Sequence, residues 1–558
     1  MPSFNIMKKL KVGLLIDQNM VPHWVYTMIQ QILKSDYAEI TLIIQNDSIA
    51  PKQTFISKLI YTFRFLLFSL YIRLDKILFK FSPNAFELID INPLLGDIES
   101  FGVVPVSTKF SDRFTDPDLQ KVKSHDLDVL IRLGFKILRG DILRVAKYGI
   151  WSFHHGDNKI NRGGPAGVWE VLGGWSETGV ILQILTEELD GGIVIESSHS
   201  KTDDISIIRN NNNSYWKSLS MIPRNLKKLH SVGGKEFMSL IDNKNKDLYL
   251  YYNKLFVTPV NSKLAILIIK KFASKFFEKI HSFFIINQWI LLYRFSKSGK
   301  LSQSFFRFKK LFPPRDRFWA DPFVIFKDSL YYVFIEELMF NTNRGHISVF
   351  TLDESGNISK PERILEKNYH LSYPFVFEDN GEYYMIPESE ENRTIDLYKS
   401  TSFPFKWELV NTLMSDVCAV DTTIHFYNNK YWMFCNIKQN EGASNLDELY
   451  IFYADHFNTI NWQPHTMNPV ISNVKNARPA GKIFQYNNAH YRPAQDCSKH
   501  YGRGMHIGKI IILTEEEYAE ESIQYLYPLW DKKLRGMHTF NSAENLTIID
   551  GEYRRSRI

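Results

Sequence analysis

Apolar residues run compactly from Lys11 to Asp17, recur at helical spacing through Trp24, Met28, Ile29 and Leu33, and run again from Glu39 to Ile44. This is the punctuation of strand, helix and strand. A further strand, Leu127 to Arg132, ends in Leu133-Gly134-Phe135, and a helical stretch leads to Tyr148-Gly149-Ile150-Trp151. Such alternation predicts a Rossmann-type parallel sheet with helices on its faces, which binds ligands at the carboxyl ends of its strands. From about Trp289 the period changes to two, in short strands rich in aromatic and β-branched residues, with turns at Asp379-Asn380-Gly381 and Tyr427-Asn428-Asn429. The segments FWADPFVIFKDSLYYVFIEE, LSYPFVFEDNGEYYMIPES, AVDTTIHFYNNKYWMFCN and ARPAGKIFQYNNAHYRPAQD share one form: a small or polar start, an apolar strand, a tight turn and an aromatic strand with a polar end. Their starts at Ala320, Tyr373, Val420 and Arg478 lie about fifty residues apart, the spacing of propeller blades. The tail from Trp530 to Ile549 is expected to complete a fifth blade. The pattern predicts an α/β domain over 1–245, an amphipathic helical linker over 246–288 and an all-β five-bladed propeller over 289–558.

Two stretches fit neither domain. Lys52 to Phe81, within an insertion over 52–82, is dense in Phe, Leu, Ile and Tyr and carries six basic residues against one acid, Asp75. Its uncharged run, Phe65 to Ile72, is far shorter than the roughly 20 apolar residues a bilayer requires. It reads either as a helix packed on its own domain or as one lying on an anionic membrane with its basic side chains at headgroup level. Lys254 to Tyr293, which includes LAILIIKKFASKFFEKIHSFF, repeats this character.

Composition narrows the classes. A chain of 558 residues exceeds one hydrophobic core, and 14% aromatic residues suits a β-rich or sugar-handling protein. Much of the +6 charge sits in the two stretches above, not along a groove, which argues against a nucleic-acid partner. Cys418, Cys435 and Cys497 form no CxxC, so neither a disulfide framework nor a cysteine zinc site is expected, and no other metal site is read. The first apolar run ends at Asp17 with no small-residue cleavage site behind it and reads as a strand rather than a signal peptide. A cytoplasmic protein, peripheral on the inner face of the membrane, is the expected setting.

DLDVLIRLGFKILRGDIL with YGIW, then SFHHGDNKINRGGPAGVWEVLGG, then ETGVILQILTEELDGGIVI resemble the core of the formyltransferase family, which includes methionyl-tRNA and sugar N-formyltransferases using 10-formyltetrahydrofolate. The resemblance covers about the first 240 residues and is strongest between Asp126 and Ile195. It implies that His154 is the catalytic histidine, Asp190 its aspartate and Gly192 the accompanying glycine. Ser152 stands where the family has asparagine, whose amide donates to the formyl oxygen as it becomes an oxyanion; losing such a donor costs about 10²–10³ in rate. A neutral imidazole at His154 can take the proton from an attacking amine, with Asp190 orienting it. His155, Asp157, Arg162 and Gly164 are candidate substrate contacts beside it, and Arg209, Asn210, Tyr215, Trp216 and Arg224 stand out downstream without an assigned role.

The second half resembles the five-bladed domains of arabinanase-like glycoside hydrolases and of propellers attached to glycosyltransferases, through its Ala-Asp-Pro start and YYVFIEE strand. That resemblance implies acidic residues meeting in a central funnel, here Asp321, Glu337, Glu388 and Asp421; Arg478, Gln495 and His538, polar residues at blade edges, are read beside them as further substrate contacts. Arg492, Asp496, Arg503 and His506 are additional polar residues at blade edges. Arginine forks suit phosphate or carboxylate. The combined expectation is a transferase that moves a formyl or related acyl group onto an amino sugar in cell-surface glycan or glycolipid assembly, with an amino-sugar nucleotide or lipid-linked saccharide as partner. Two alternatives stand beside it: a glycosyltransferase or other glycan-active enzyme whose formyltransferase-like site does not use folate, and a non-catalytic carbohydrate-binding protein.

Overall fold

The computed structural model describes residues 8–48, 55–188, 191–296 and 301–557, with 55–58 described only in their backbone. Two compact units form, one over 1–272 joined by the loop 440–443, the other over the remainder of 273–558.

The first unit is built on a seven-stranded sheet in the order Ile193–Lys201, Glu177–Ile184, Ile150–His154, Val129–Arg132, Leu10–Ile16, Ala38–Asn46, Ser100–Val103. The five strands from Ile150–His154 outward run parallel, and the remaining two pair antiparallel. The central strands are apolar through their middles because both faces are covered. Leu14, Ile16 and Ile131 pack on one side with Met28, Ile29 and Ile32 of the His23–Leu33 helix, and Leu15, Leu130 and Ile150 on the other with Leu119 and Val122. The order reverses at Leu10–Ile16, so the carboxyl ends of the strands open a crevice beside it. Arg132 and His154 end their strands there.

The Lys52 to Phe81 stretch forms two helices, Phe55–Arg64 and Leu66–Leu78. The expected linker holds one long helix, Asn261–Phe284, which runs directly into the strand Ile285–Phe295.

The second unit is five antiparallel sheets in chain order. Four begin at Arg317, Ser372, Ala419 and Phe484. In the first three, residues with positive φ, Asp321, Tyr373 and Asp421, sit where the register slips by a bulge. Their hairpins turn through pairs of positive-φ residues, Asp328-Ser329, Asn380-Gly381 and Asn428-Asn429; Asn487-Asn488 does the same in the fourth sheet, as tight two-residue loops require. The fifth sheet differs from the expectation. The tail does not complete it alone: Leu546–Ser556 pairs along eleven residues with Ile285–Phe295, so strands from both ends of the unit share one sheet.

Candidate functional sites

In the first unit a cavity of about 860 Å³ opens at the carboxyl ends of the parallel strands, lined by the polar residues Arg132, Ser152, His154 and Gln183 with Gly192, and by the apolar residues Phe110, Leu185, Phe256 and Val257. Strand alternation puts Ser152 and His154 on the cavity face and sends Phe153 and His155 to the other. Arg132 is held by the Phe135 and Lys136 carbonyls, and its Nη1 donates to Ser152 Oγ at 3.1 Å. His154 Nε2 lies 2.9 Å from the Asn161 carbonyl. A carbonyl only accepts, so Nε2 carries the proton and Nδ1 is the basic nitrogen. The Asn161 amide in turn donates to buried Glu170, whose carboxyl is pushed up by burial. Gln183, opposite Ser152 across the sheet, has a buried Oε1 with no partner among the described residues. At Gly163, φ is +145 and a notional Cβ would run into the Phe256 carbonyl, so no larger residue fits where the loop meets that wall.

The other candidates fall differently. Asp190 lies outside the described residues, while Gly164 lines the cavity. His155 does not: it stacks on Tyr215 with ring centroids 3.5 Å apart and meets the edge of Trp24, and burial pushes its pKa down to about 3. It is a neutral core residue, placed there by the same alternation that exposes His154. Asp157 ties its turn to the neighbouring strand, accepting from Lys159 N and from His199 Nε2 at 3.2 Å; burial raises its carboxyl, but these bonds outweigh it and hold it low. Arg162 donates to the Asn158 carbonyl and stacks on Tyr251, outside the cavity lining. Arg132, Gln183 and Glu170 were missed because each reads as an ordinary strand-end or helix residue; only the fold brings them beside His154.

In the second unit all five sheets and their loops contribute to a cavity of about 310 Å³, lined by Trp289, Glu336, His370, Glu388, Arg478, Tyr501 and His538 among others. His370 Nε2 lies 3.2 Å from Glu336, and nearby carboxylates overcome burial to push that histidine up to about 9. Ser372 Oγ donates to Glu388 Oε2 at 2.5 Å, and Arg478 approaches the same oxygen at 4.0 Å. Burial, then the charge of Asp421, raises the Glu388 carboxyl. His538 stacks on Trp289 with centroids 4.1 Å apart, and its Nδ1 sits 2.5 Å from Asp550. Despite burial, Asp550 and Asp321 push its pKa up to about 9.

Glu388, Arg478 and His538 therefore reach the cavity, but Asp321, Asp421, Glu337 and Gln495 do not line it. Asp321 is consumed by the Tyr373 amide and the Thr539 hydroxyl. Asp421 accepts from Arg478 Nε and Nη2 and from Gln495, which orients the guanidinium from beneath. Glu337 faces away and accepts from Arg317, Trp319, His346 and Ser348, which together outweigh burial and hold it down at about 2. Its neighbour Glu336 faces in. Asp321, His538 and Asp550 bring ligand-type atoms within 4.8 Å of one another, a set that holds a cation only once the imidazole gives up its proton.

Each unit thus holds a cavity lined by imidazole, His154 in the first and His370 with His538 in the second. Residues 310–548 match the family described as Glucosamine inositolphosphorylceramide transferase 1, N-terminal. The Arabidopsis thaliana protein named glucosamine inositolphosphorylceramide transferase 1 is 34% identical over 252 residues, 42% of this chain and 32% of that protein. A methionyl-tRNA formyltransferase from Prochlorococcus marinus is 37% identical over 82 residues, 14% of this chain and 24% of that enzyme. Among solved structures, the catalytic domain of Coprinopsis cinerea GH62 α-L-arabinofuranosidase aligns at 12% identity with a TM-score of 0.33, covering 44% of this chain and 93% of that one. The chain spans 32% and 24% of the lengths of the two curated relatives described.

Proposed function

We propose that the chain is a transferase of glycan or glycolipid assembly, in which the second unit is a five-bladed propeller that holds a saccharide and the first moves an acyl group, formyl in the finest reading, onto an amine. The relative whose name pairs glucosamine with inositolphosphorylceramide supports an amino sugar on a lipid carrier as acceptor; an amino-sugar nucleotide is the other acceptor this reading allows. The observation that carries the acyl reading is Ser152 and His154 side by side on one wall of the 860 Å³ cavity.

A cavity of that size, lined by both apolar and polar side chains, accepts a folate-sized donor. When bound, 10-formyltetrahydrofolate supplies an activated formyl carbon. The chain's own groups supply the rest. His154 Nδ1 takes the proton that an amine sheds as it becomes a nucleophile, and Nε2 stays anchored on the Asn161 carbonyl. Ser152 stands in for the family's asparagine: Arg132 donates to its Oγ, which strengthens its own O–H as a donor, and that O–H turns from the Phe153 carbonyl, which it meets at 3.4 Å, to an oxyanion in the cavity.

A second reading rests on a different observation. Glu336 and Glu388 line one cavity, with Glu388 raised by burial; a pair of carboxylates, one of them shifted upward, is what glycosyl chemistry uses. Assay of formyl transfer to glucosamine-bearing acceptors, beside a panel of nucleotide sugars, tests both. In the acyl reading His154→Ala abolishes transfer while Ser152→Asn keeps or raises it. A folded Ser152→Asn that loses all activity, in a protein that binds no folate, rejects formyl transfer; loss of glycosyl transfer in Glu388→Gln then supports the alternative.

A further inference from the structure

One helical face of the first unit is apolar, with large side chains left exposed by the described residues. The Leu66–Leu78 helix is apolar on two sides. Leu67, Phe68, Tyr71 and Ile72 turn inward onto Val168, Trp169 and Leu172 with Leu264 of the long helix. Leu66, Leu70, Leu74 and Leu78 recur every four residues on the other side, and all are exposed, Leu78 by 70%. Ile60, Tyr61 and Phe63 of the preceding helix are exposed by 60% or more. On the long helix Ile266, Ile269 and Phe272 form an outward stripe at helical spacing, while Leu264, Leu267 and Ile268 pack inward. Asn261 fastens these pieces together: its Oδ1 accepts from Leu67 N at 3.0 Å and its Nδ2 donates to the Phe63 carbonyl at 2.7 Å.

A soluble surface rarely carries so many large apolar side chains in one place; such a patch marks a protein or membrane contact. The charges around it decide between them. Arg64, Arg73, Lys76, Lys80, Lys263 and Lys270 accompany the stripes, and the one acid of the Leu66–Leu78 helix, Asp75, is buried and accepts from Ile208 N. Basic side chains bordering an apolar helical face match a lipid surface, where the apolar groups enter the acyl boundary and the cations meet anionic headgroups. No described helix is long and apolar enough to cross a membrane, so the geometry is that of a face laid on a bilayer rather than a span.

We propose that this face docks the chain on an anionic membrane surface. This inference stands on the first unit's surface alone and does not depend on either cavity. The test is co-sedimentation of the full chain with phosphatidylcholine vesicles, with and without phosphatidylserine, at several salt concentrations. Binding is expected to require phosphatidylserine and to fall as salt rises. Arg73→Glu with Lys76→Glu weakens it by at least about fivefold per charge removed. Leu70→Asp with Ile269→Asp, both exposed and therefore tolerated by the fold, abolishes it; circular dichroism and the melting temperature confirm that each variant is folded. Three results overturn the proposal: no binding by the wild type, binding unmoved by these substitutions, or a second copy of the chain covering the face, seen as a dimer in sedimentation velocity that the Leu70→Asp/Ile269→Asp protein no longer forms.

Discussion

Glu336 and Glu337 are neighbours with opposite duties. Glu337→Gln removes the charge that Arg317, Trp319, His346 and Ser348 converge on, and its expected cost is about 2–3 kcal/mol in urea unfolding. Glu336→Gln removes the partner that raises His370 and also weakens saccharide binding by calorimetry, because Glu336 lines the cavity; binding weakened equally by both variants would contradict this division. The expectation that Glu337 was the cavity acid came from treating the pair as a strand end without its parity. Parity is written in the strand, since Val333 and Ile335 share Glu337's side and Phe334 shares that of Glu336, but which side faces the cavity depends on pairing with remote segments. His155 offers a second check. Its pKa is about 3 in the fold against about 6.5 unfolded, so the unfolded chain takes up the proton first. Stability is therefore full above about pH 6.5 and falls by about 1.4 kcal/mol per pH unit as pH drops toward 3. His155→Phe, which keeps a ring against Tyr215, is expected to remove that part of the slope in melts across this range.

Among elements, the hairpin turns were the most legible, because Asn-Gly and Asn-Asn between aromatic strands have one economical conformation. Asn429 sits at φ 58, so Asn429→Val is expected to lower stability by about 1–3 kcal/mol and Asn429→Gly to cost nothing; thermal melts that rank them otherwise would mean the turn has another form. The bulges at Asp321, Tyr373 and Asp421 were not legible as such. The repeated starts marked the place, but a bulge is a two-strand event. It explains why Asp321 and Asp421 turn downward to brace Tyr373 and Arg478 while Glu388 and Arg478 reach the cavity. In the first unit the strand-helix alternation and the positions of Ser152 and His154 followed from period and motif, whereas Arg132 beside Ser152 followed only from the sheet order.

On the scale of the whole molecule, the two compact units were legible as a change of period, from helical to two, near the long helix. The closing of the fifth sheet by Ile285–Phe295 was not, because that strand pairs with a segment at the far end of the unit. Two buried or half-buried histidines give this unit a shared pH response. His370 and His538 are both raised to about 9 by neighbouring carboxylates, so their contribution is full below about pH 6.5 and is lost as pH rises through 9. Melts from pH 7 to 10 are expected to show that loss, reduced in His538→Gln; an unchanged alkaline limb in that variant would remove His538 as its source. The shared sheet has a mechanical consequence as well. Ile285 lies opposite Ser556 and Phe295 opposite Leu546, so the points where the backbone enters and leaves this seam are at the same end of the ladder. Tension applied through those two points meets the hydrogen bonds in sequence rather than together. The seam peels like a zip at low, steady force, whereas a pull on Phe295 against Ser556 loads every rung at once and meets far greater resistance.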